Sequence, residues 1–147
     1  MNIIELILKN AKYFPEKPAI VFDGSILTYD DLIEQTRKLS YAFKKVGVRQ
    51  GTFVGILLNN STEFVISMLA AADLGATIVP MSNSLGQKDL LTAIKLTNIR
   101  FIVGWHVTLK NIFDLNNDSF IIPRDHCITV GGEVKGLCYF DALLRME

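Results

Sequence analysis

Three short apolar runs constrain this chain more than any other feature. FVGILL (53–58), ATIVP (76–80) and RFIVG (100–104) have no polar face, and their starts lie about two dozen residues apart. A strand without a polar face needs cover on both sides, which is the situation of a parallel sheet between two helical layers. Parallel neighbours also need a connection of about a dozen residues or more, usually a helix. Each interval here holds one segment of helical periodicity. The spacing therefore predicts a βαβαβ unit with right-handed crossovers: an α/β fold with a parallel sheet and helices on both faces.

The helices follow from the positions of the apolar residues. Residues 61–74 place Phe64, Val65, Met68, Leu69 and Ala72 toward the core, and Gly75 ends that helix at positive φ. Residues 86–97 turn Leu90, Leu91 and Ile94 inward and close at Asn98. From Tyr29 onward, Leu32, Ile33, Thr36, Leu39, Ala42, Phe43 and Val46 recur at helical spacing, with Gly47 as the stop. Upstream, residues 3–13 form an amphipathic helix, and PEKPAIVFDGSILTY reads as two strands around Asp23-Gly24. Thr28, Asn60 and Ser84 each precede a helix, with Asp31, Glu63 and Gln87 three positions on, the spacing of a capping box. Beyond Gly104 the pattern predicts a helix over 107–115, short strands FIIP and CITV, a GGEVKG loop at 131–136 and a last helix beginning in YFDALLRME.

Composition narrows the class. At 147 residues the chain reads as a single α/β unit, long enough to bury a core without disulfide or metal. Fifteen basic residues balance fifteen acidic ones, which argues against a nucleic-acid binder. The longest apolar stretch, 64–81, contains Asp73 and Pro80 and reads as helix plus strand rather than a membrane span. The N-terminus lacks the basic start and cleavage site of a signal peptide. Cys127 and Cys138 fit no CxxC or zinc spacing, so a reduced, cytoplasmic setting is expected. Hydrophobic residues make up 50% and mean hydropathy is +0.31. Either the core is well filled, or some faces are built for missing neighbours and let the chain self-associate.

The residues offer little chemistry. No GxxxxGK[ST] or GxGxxG motif is present. GGEVKG reads as a turn, and the glycines of GVRQGTFVG (47–55) fall mostly before a strand, at the end of the sheet where ligands rarely bind. His126-Cys127 lacks a second ligand pair, and Cys127 in an apolar strand behaves as a small hydrophobe. Asn59-Asn60-Ser61 matches a glycosylation sequon, relevant only to a secreted protein. Read alone, the residues give a parallel α/β domain with no catalytic constellation and no metal site.

The order of segments nevertheless resembles one family. PEKPAIVFDGSILTYDDL, with Leu27-Thr28-Tyr29-Asp30-Asp31-Leu32, is similar to the opening of the acyl-adenylate-forming (AMP-binding) superfamily of acyl-CoA synthetases, luciferases and peptide-synthetase adenylation domains. GVRQGTFVGILLNNSTEFVISMLAAADLGATIVPM follows in matching order and carries the Leu-x-x-Gly-Ala-x-x-x-Pro signature as 71–80, with Ala and Asp where Leu and Lys are common. The likeness is dense from Pro15 to Val103, giving a best-supported core of 15–104, and thinner in ITVGGEVKGLCYFDALL.

The resemblance implies that residues 1–147 are an incomplete N-terminal part of a larger AMP-binding domain. The parent would be an acyl- or aryl-CoA ligase, with fatty acids among the family's substrates. It would use ATP and Mg to turn a carboxylate into an acyl-adenylate and pass it to CoA. Alternatives are a peptide-synthetase or D-alanyl carrier adenylation enzyme with a carrier-protein thiol as acceptor, or a stand-alone binding module. The phosphate loop, adenine motifs and adenylating lysine of the family would lie beyond Glu147, so these residues alone are expected to be inactive and to bind no cofactor. In some CoA ligases a basic residue after the signature proline approaches the nucleotide of CoA. The matching position here is Ser84, which cannot supply that charge and which the capping pattern also explains.

Overall fold

The computed structural model describes residues 2–116 and 122–146. The chain runs α1 (Ile3–Tyr13), β1 (Pro18–Phe22), β2 (Ser25–Thr28), α2 (Tyr29–Val46), β3 (Phe53–Leu57), α3 (Thr62–Asp73) and β4 (Thr77–Pro80). It continues through α4 (Gln87–Leu96), β5 (Phe101–Trp105), α5 (His106–Asn116), a single 3-10 turn at Arg124–His126, β6 (Cys127–Val130), β7 (Cys138–Tyr139) and α6 (Phe140–Leu144). β1 and β2 form a separate antiparallel hairpin, closed by Asp23 and Gly24, both at positive φ.

The remaining strands make one parallel sheet in the order β4-β3-β5-β6-β7. One face packs Val54, Ile56, Phe101, Val103, Ile128 and Val130 against residues of α1, α2, α3 and α6. The other packs Leu57, Ile102 and Cys127 against Leu90, Ile94, Leu109 and Ile112 of α4 and α5. Each strand thus sends alternate residues to two cores, which is why these runs lack a polar side.

The helix ends show local chemistry at work. Asp31 accepts from the Thr28 backbone N–H (3.1 Å) and hydroxyl (2.6 Å), while the Asp31 N–H donates back to Thr28 Oγ1 at 3.1 Å. These bonds hold the Asp31 carboxyl below its ordinary pKa. Gly47 at φ 107° ends α2, and Gly75 at φ 69° follows the last turn of α3. Each supplies a backbone conformation that side chains with a Cβ resist.

Several expectations are corrected. The cap of α3 is Ser61, whose Oγ accepts from the Phe64 N–H at 3.1 Å, and not Asn60. The helix after β4 starts at Gln87 with Gly86 at its cap, so Ser84 caps nothing; its side chain instead meets Ser82 Oγ at 2.6 Å. α3 buries Ile66, Ser67, Leu69, Ala70 and Ala71 most deeply, while Phe64, Val65, Met68 and Ala72 pack against the core as expected but stay partly exposed. β4 is an edge strand with exposed ends rather than a fully buried one. Leu91 is half-buried. Of the expected FIIP strand, 120–121 lie outside the described residues, and Ile122-Pro123 leads into the 3-10 turn. β7, which sequence periodicity did not indicate, pairs with β6.

Candidate functional site

The direction of the crossovers selects one place in this sheet. The connection after β3 passes through α3 on the first face, whereas the connection after β5 passes through α5 on the second. β3 and β5 are neighbours, so the two loops leave in opposite directions and open a crevice at the carboxyl ends of their strands. Ligands of open α/β sheets bind in such crevices.

A cleft of about 350 Å³ occupies this position, lined by Leu58, Asn59, Asn60, Ser61, Glu63, Asn83, Trp105, Thr108 and Val130. Its volume lies within the usual range for small-molecule sites. Leu58 and Val130, both buried, give it an apolar floor. Asn83 reaches across from the loop after β4, its Nδ2 donating to Asn59 Oδ1 at 3.1 Å. Asn83 Oδ1 is shielded from solvent and has no partner among the described residues.

Trp105 forms one wall and is 44% exposed. Its position depends on Gly131, where an added Cβ would lie 2.2 Å from Trp105 Cζ3. At Gly132 an added Cβ would come within 2.8 Å of His106 Nδ1. The GGEVKG glycines are therefore seats for the rings that begin the β5–α5 junction. The space a phosphate would need at these two residues is filled by Trp105 and His106, and this loop does not fit the phosphates of ATP. Among the described residues, no three His, Cys, Asp or Glu side chains converge as metal ligands. No helix in them is long and apolar enough to cross a membrane.

The other flank of α5 carries charges of both signs. A second cavity, about 260 Å³, is lined by His106, Lys110, Phe113, Asp114, Arg124, Glu133, Val134 and Lys135. Lys110 pairs with Asp114 at 2.6 Å, and the Arg124 guanidinium lies 4.7 Å from the centre of the Phe113 ring. Lys135 has no ion pair among the described residues. α5 begins directly where β5 ends, so its first-turn N–H groups lie at this end of the sheet. The cleft with its aromatic wall thus adjoins a cavity lined by Lys110, Arg124 and Lys135 together with Asp114 and Glu133.

Ser84 lies on the exposed loop after β4 and does not line the cleft; its neighbour Asn83 does. Cys127 is buried, and desolvation pushes its thiol far above the ordinary range, as expected of an inert packing residue. His126 stacks on Phe101 with ring centroids 4.0 Å apart, a packing role. Sequence reasoning missed Asn59, Asn83, Trp105 and Thr108 as site residues. The available signal was positional, since Trp105 closes β5 and the others follow the end of a strand.

Comparison with known proteins places this geometry. Residues 7–131 match the profile of the family described as AMP-binding enzyme. The chain is 29% identical over 124 residues to 4-coumarate–CoA ligase 1 of Arabidopsis thaliana, covering 83% of this chain and 22% of the plant protein. It is 38% identical over 77 residues to a linear gramicidin synthase of Brevibacillus parabrevis, covering 52% of this chain and 2% of that one. The crystal structure of an anthranilate CoA ligase in complex with anthranoyl-AMP superposes with a TM-score of 0.89 at 21% identity, over 99% of this chain and 28% of that one. The chain therefore spans about a fifth of the plant ligase and a far smaller share of the synthase.

Proposed function

Because the chain belongs to the AMP-binding enzyme family, we propose that the intact protein is an AMP-forming ligase that activates an acyl or aryl carboxylate with ATP and Mg and transfers it to coenzyme A. The observation that carries this reading is the pairing of two sites across α5. The cleft offers an aromatic wall and hydrogen-bonding amides, suited to a planar base or an amide-bearing arm. The adjoining cavity offers Lys110, Arg124 and Lys135, suited to phosphates. A nucleotide-bearing thiol needs both. The Lys110 and Lys135 ammoniums would hold its phosphates, and Trp105 would stack against its base. Ser84, on the neighbouring loop, would lie along the same path without contributing charge. CoA, when bound, supplies the thiol that receives the acyl group.

These 147 residues contribute the acceptor side of such a reaction. By themselves they are expected to release no pyrophosphate. The likeness to a gramicidin synthase supports a second reading, in which the acceptor is a carrier-protein thiol. Both readings are tested on the intact protein. Pyrophosphate exchange with a panel of aryl and alkyl carboxylates measures activation, and thioester formation is then compared for CoA and a carrier protein. Under the preferred reading, Lys110→Ala and Lys135→Ala each raise the KM for CoA and leave pyrophosphate exchange unchanged. Transfer to a carrier protein alone would replace it with the second reading, and absence of exchange with every carboxylate would end both.

A further inference from the structure

α1 carries two apolar stripes, and the fold covers one of them. Ile4 is buried, and Ile7 and Leu8 pack beside it against the first core. Ile3, Leu6 and Tyr13, at spacings of three and seven residues, fall within a separate arc of roughly 80° around the helix. They are 44, 47 and 63% exposed, and Phe14 at the end of the helix is 48% exposed. An outer helix ordinarily turns a polar face to water. Here the charges Glu5, Lys9 and Lys12 occupy one flank of the outer stripe instead. The helix that presents it is tied down at both ends. Asn2 Nδ2 donates to the Ala72 carbonyl at 3.1 Å, and the Asp30 N–H donates to the Pro15 carbonyl at 3.0 Å.

The order of those charges selects what covers the stripe. A lipid surface of anionic headgroups calls for a basic rim, whereas Glu5 and Glu16 alternate here with Lys9, Lys12 and Lys17. A second α1 running antiparallel, with Ile3 opposite Tyr13, meets the sequence differently. Leu6 then faces Asn10, and Glu5 stands within one residue of Lys12 of the second copy. A two-fold axis makes that ion pair twice. A parallel pairing would instead set Glu5 against Glu5 and Lys12 against Lys12. Neither Lys9 nor Lys12 has an ion pair among the described residues, and the Glu5 carboxylate accepts a 3.3 Å bond from the Asn2 N–H.

We propose that α1 docks antiparallel on α1 of a second copy of this chain, burying Ile3, Leu6, Tyr13 and Phe14 of both copies between two Glu5–Lys12 pairs. These four side chains leave on the order of 450 Å² bare in each copy, so the contact removes ~900 Å² in total, the class of weak, reversible complexes rather than of obligate dimers. Lys9 lies near the two-fold axis, close to its own mate, and holds the affinity down. The interface uses the outer side of the helical layer and is independent of the ligase reading.

The test is sedimentation equilibrium of the full chain, where a monomer–dimer equilibrium with a Kd on the order of 100 µM is expected. Leu6→Asp should raise that Kd at least about tenfold with the Tm unchanged, because Leu6 faces solvent in the monomer. Leu96→Asp, at an 80% exposed leucine outside α1, should leave it as it is. Glu5→Lys and Lys12→Glu should each weaken the dimer severalfold, and the two together should restore it. Both changes put the wrong charge at a helix end, so recovery cannot come from a more stable α1. Lys9→Ala should tighten the dimer. A monomer at every concentration, association that survives Leu6→Asp, or further weakening in the double charge variant would overturn the proposal. So would Leu6-dependent flotation of a monomeric chain with phosphatidylglycerol vesicles, which would assign the stripe to a lipid surface. Loss of the dimer in the intact protein would assign it to cover within one chain, and overturns the proposal as well.

Discussion

Gly131→Ala tests the geometry of the cleft through its wall. The backbone at Gly131 has φ +81°, and a new Cβ would collide with three atoms of the Trp105 ring, the nearest at 2.2 Å. Holding alanine in the left-handed region costs about 1–2 kcal/mol. The ring must also move, and because Trp105 is already 44% exposed it swings toward solvent rather than into the core. Uncovering about 50 Å² of indole at ~25 cal/mol per Å² adds roughly 1 kcal/mol. The sum, roughly 2–3 kcal/mol, corresponds to a Tm lowered by about 4–12 °C for a domain of this size. Trp105 is the chain's one tryptophan, so its fluorescence reports the ring directly. Emission should shift to the red and become more open to quenching by iodide, and the urea midpoint should fall. Gly132→Ala serves as the control, since its backbone is not left-handed and its new Cβ meets His106 instead; it should leave Trp105 emission in place. A Gly131→Ala chain with native emission and native midpoint would refute both the ring seat and the account of GGEVKG built on it.

Three further outcomes follow from the same structure. Ser67 is fully buried inside α3 with a hydroxyl that has no partner among the described residues, so Ser67→Ala should raise the urea-unfolding free energy by about 1–2 kcal/mol through lost desolvation cost and better helix propensity. Thr28→Ala should lower it by about 1 kcal/mol, the usual effect of losing a helix cap. The Asp31 carboxyl is depressed in the folded state, so its contribution is present above its unfolded pKa and lost as pH falls through the folded one; the Thr28→Ala penalty should shrink in acid denaturation curves. Native thiol titration should modify Cys138, half-buried, well before Cys127, which should react only on unfolding.

The sheet was legible because its evidence is periodic and redundant. FVGILL and RFIVG had to be strands with two covered faces, and the α2 stripe from Leu32 to Val46 could be nothing but a helix. What escaped was information that lies between elements. ATIVP is as apolar as its neighbours, yet an edge position depends on which strand pairs with which, and local composition does not record that. α3 is apolar on nearly every side, so its periodicity could not say whether Phe64 or Ala70 faces the sheet. Asn60 and Ser61 are both good caps, and one residue of shift in the helix start decides between them. At Ser84 the start moved two residues further, to Gly86. The site was hidden for a different reason. Asn83, Trp105 and Thr108 are single residues far apart in the chain, brought to one crevice only by the reversal of crossover direction between β3 and β5. Gly131 and Gly132 looked like turn residues because their neighbours are rings that sequence order does not place beside them.

The central position of β3 also has a consequence for synthesis. This strand lies between β4 and β5, and roughly 50 further residues must be made after β3 before its second partner exists. At ~5–20 residues per second, that interval lasts ~3–10 s on the ribosome. Until β4 is made both edges of β3 are open, and one stays open until β5 arrives; α5, which covers part of the second face, comes later still. Any delay before β5 leaves the ribosome would therefore prolong the exposure of β3 to mispairing.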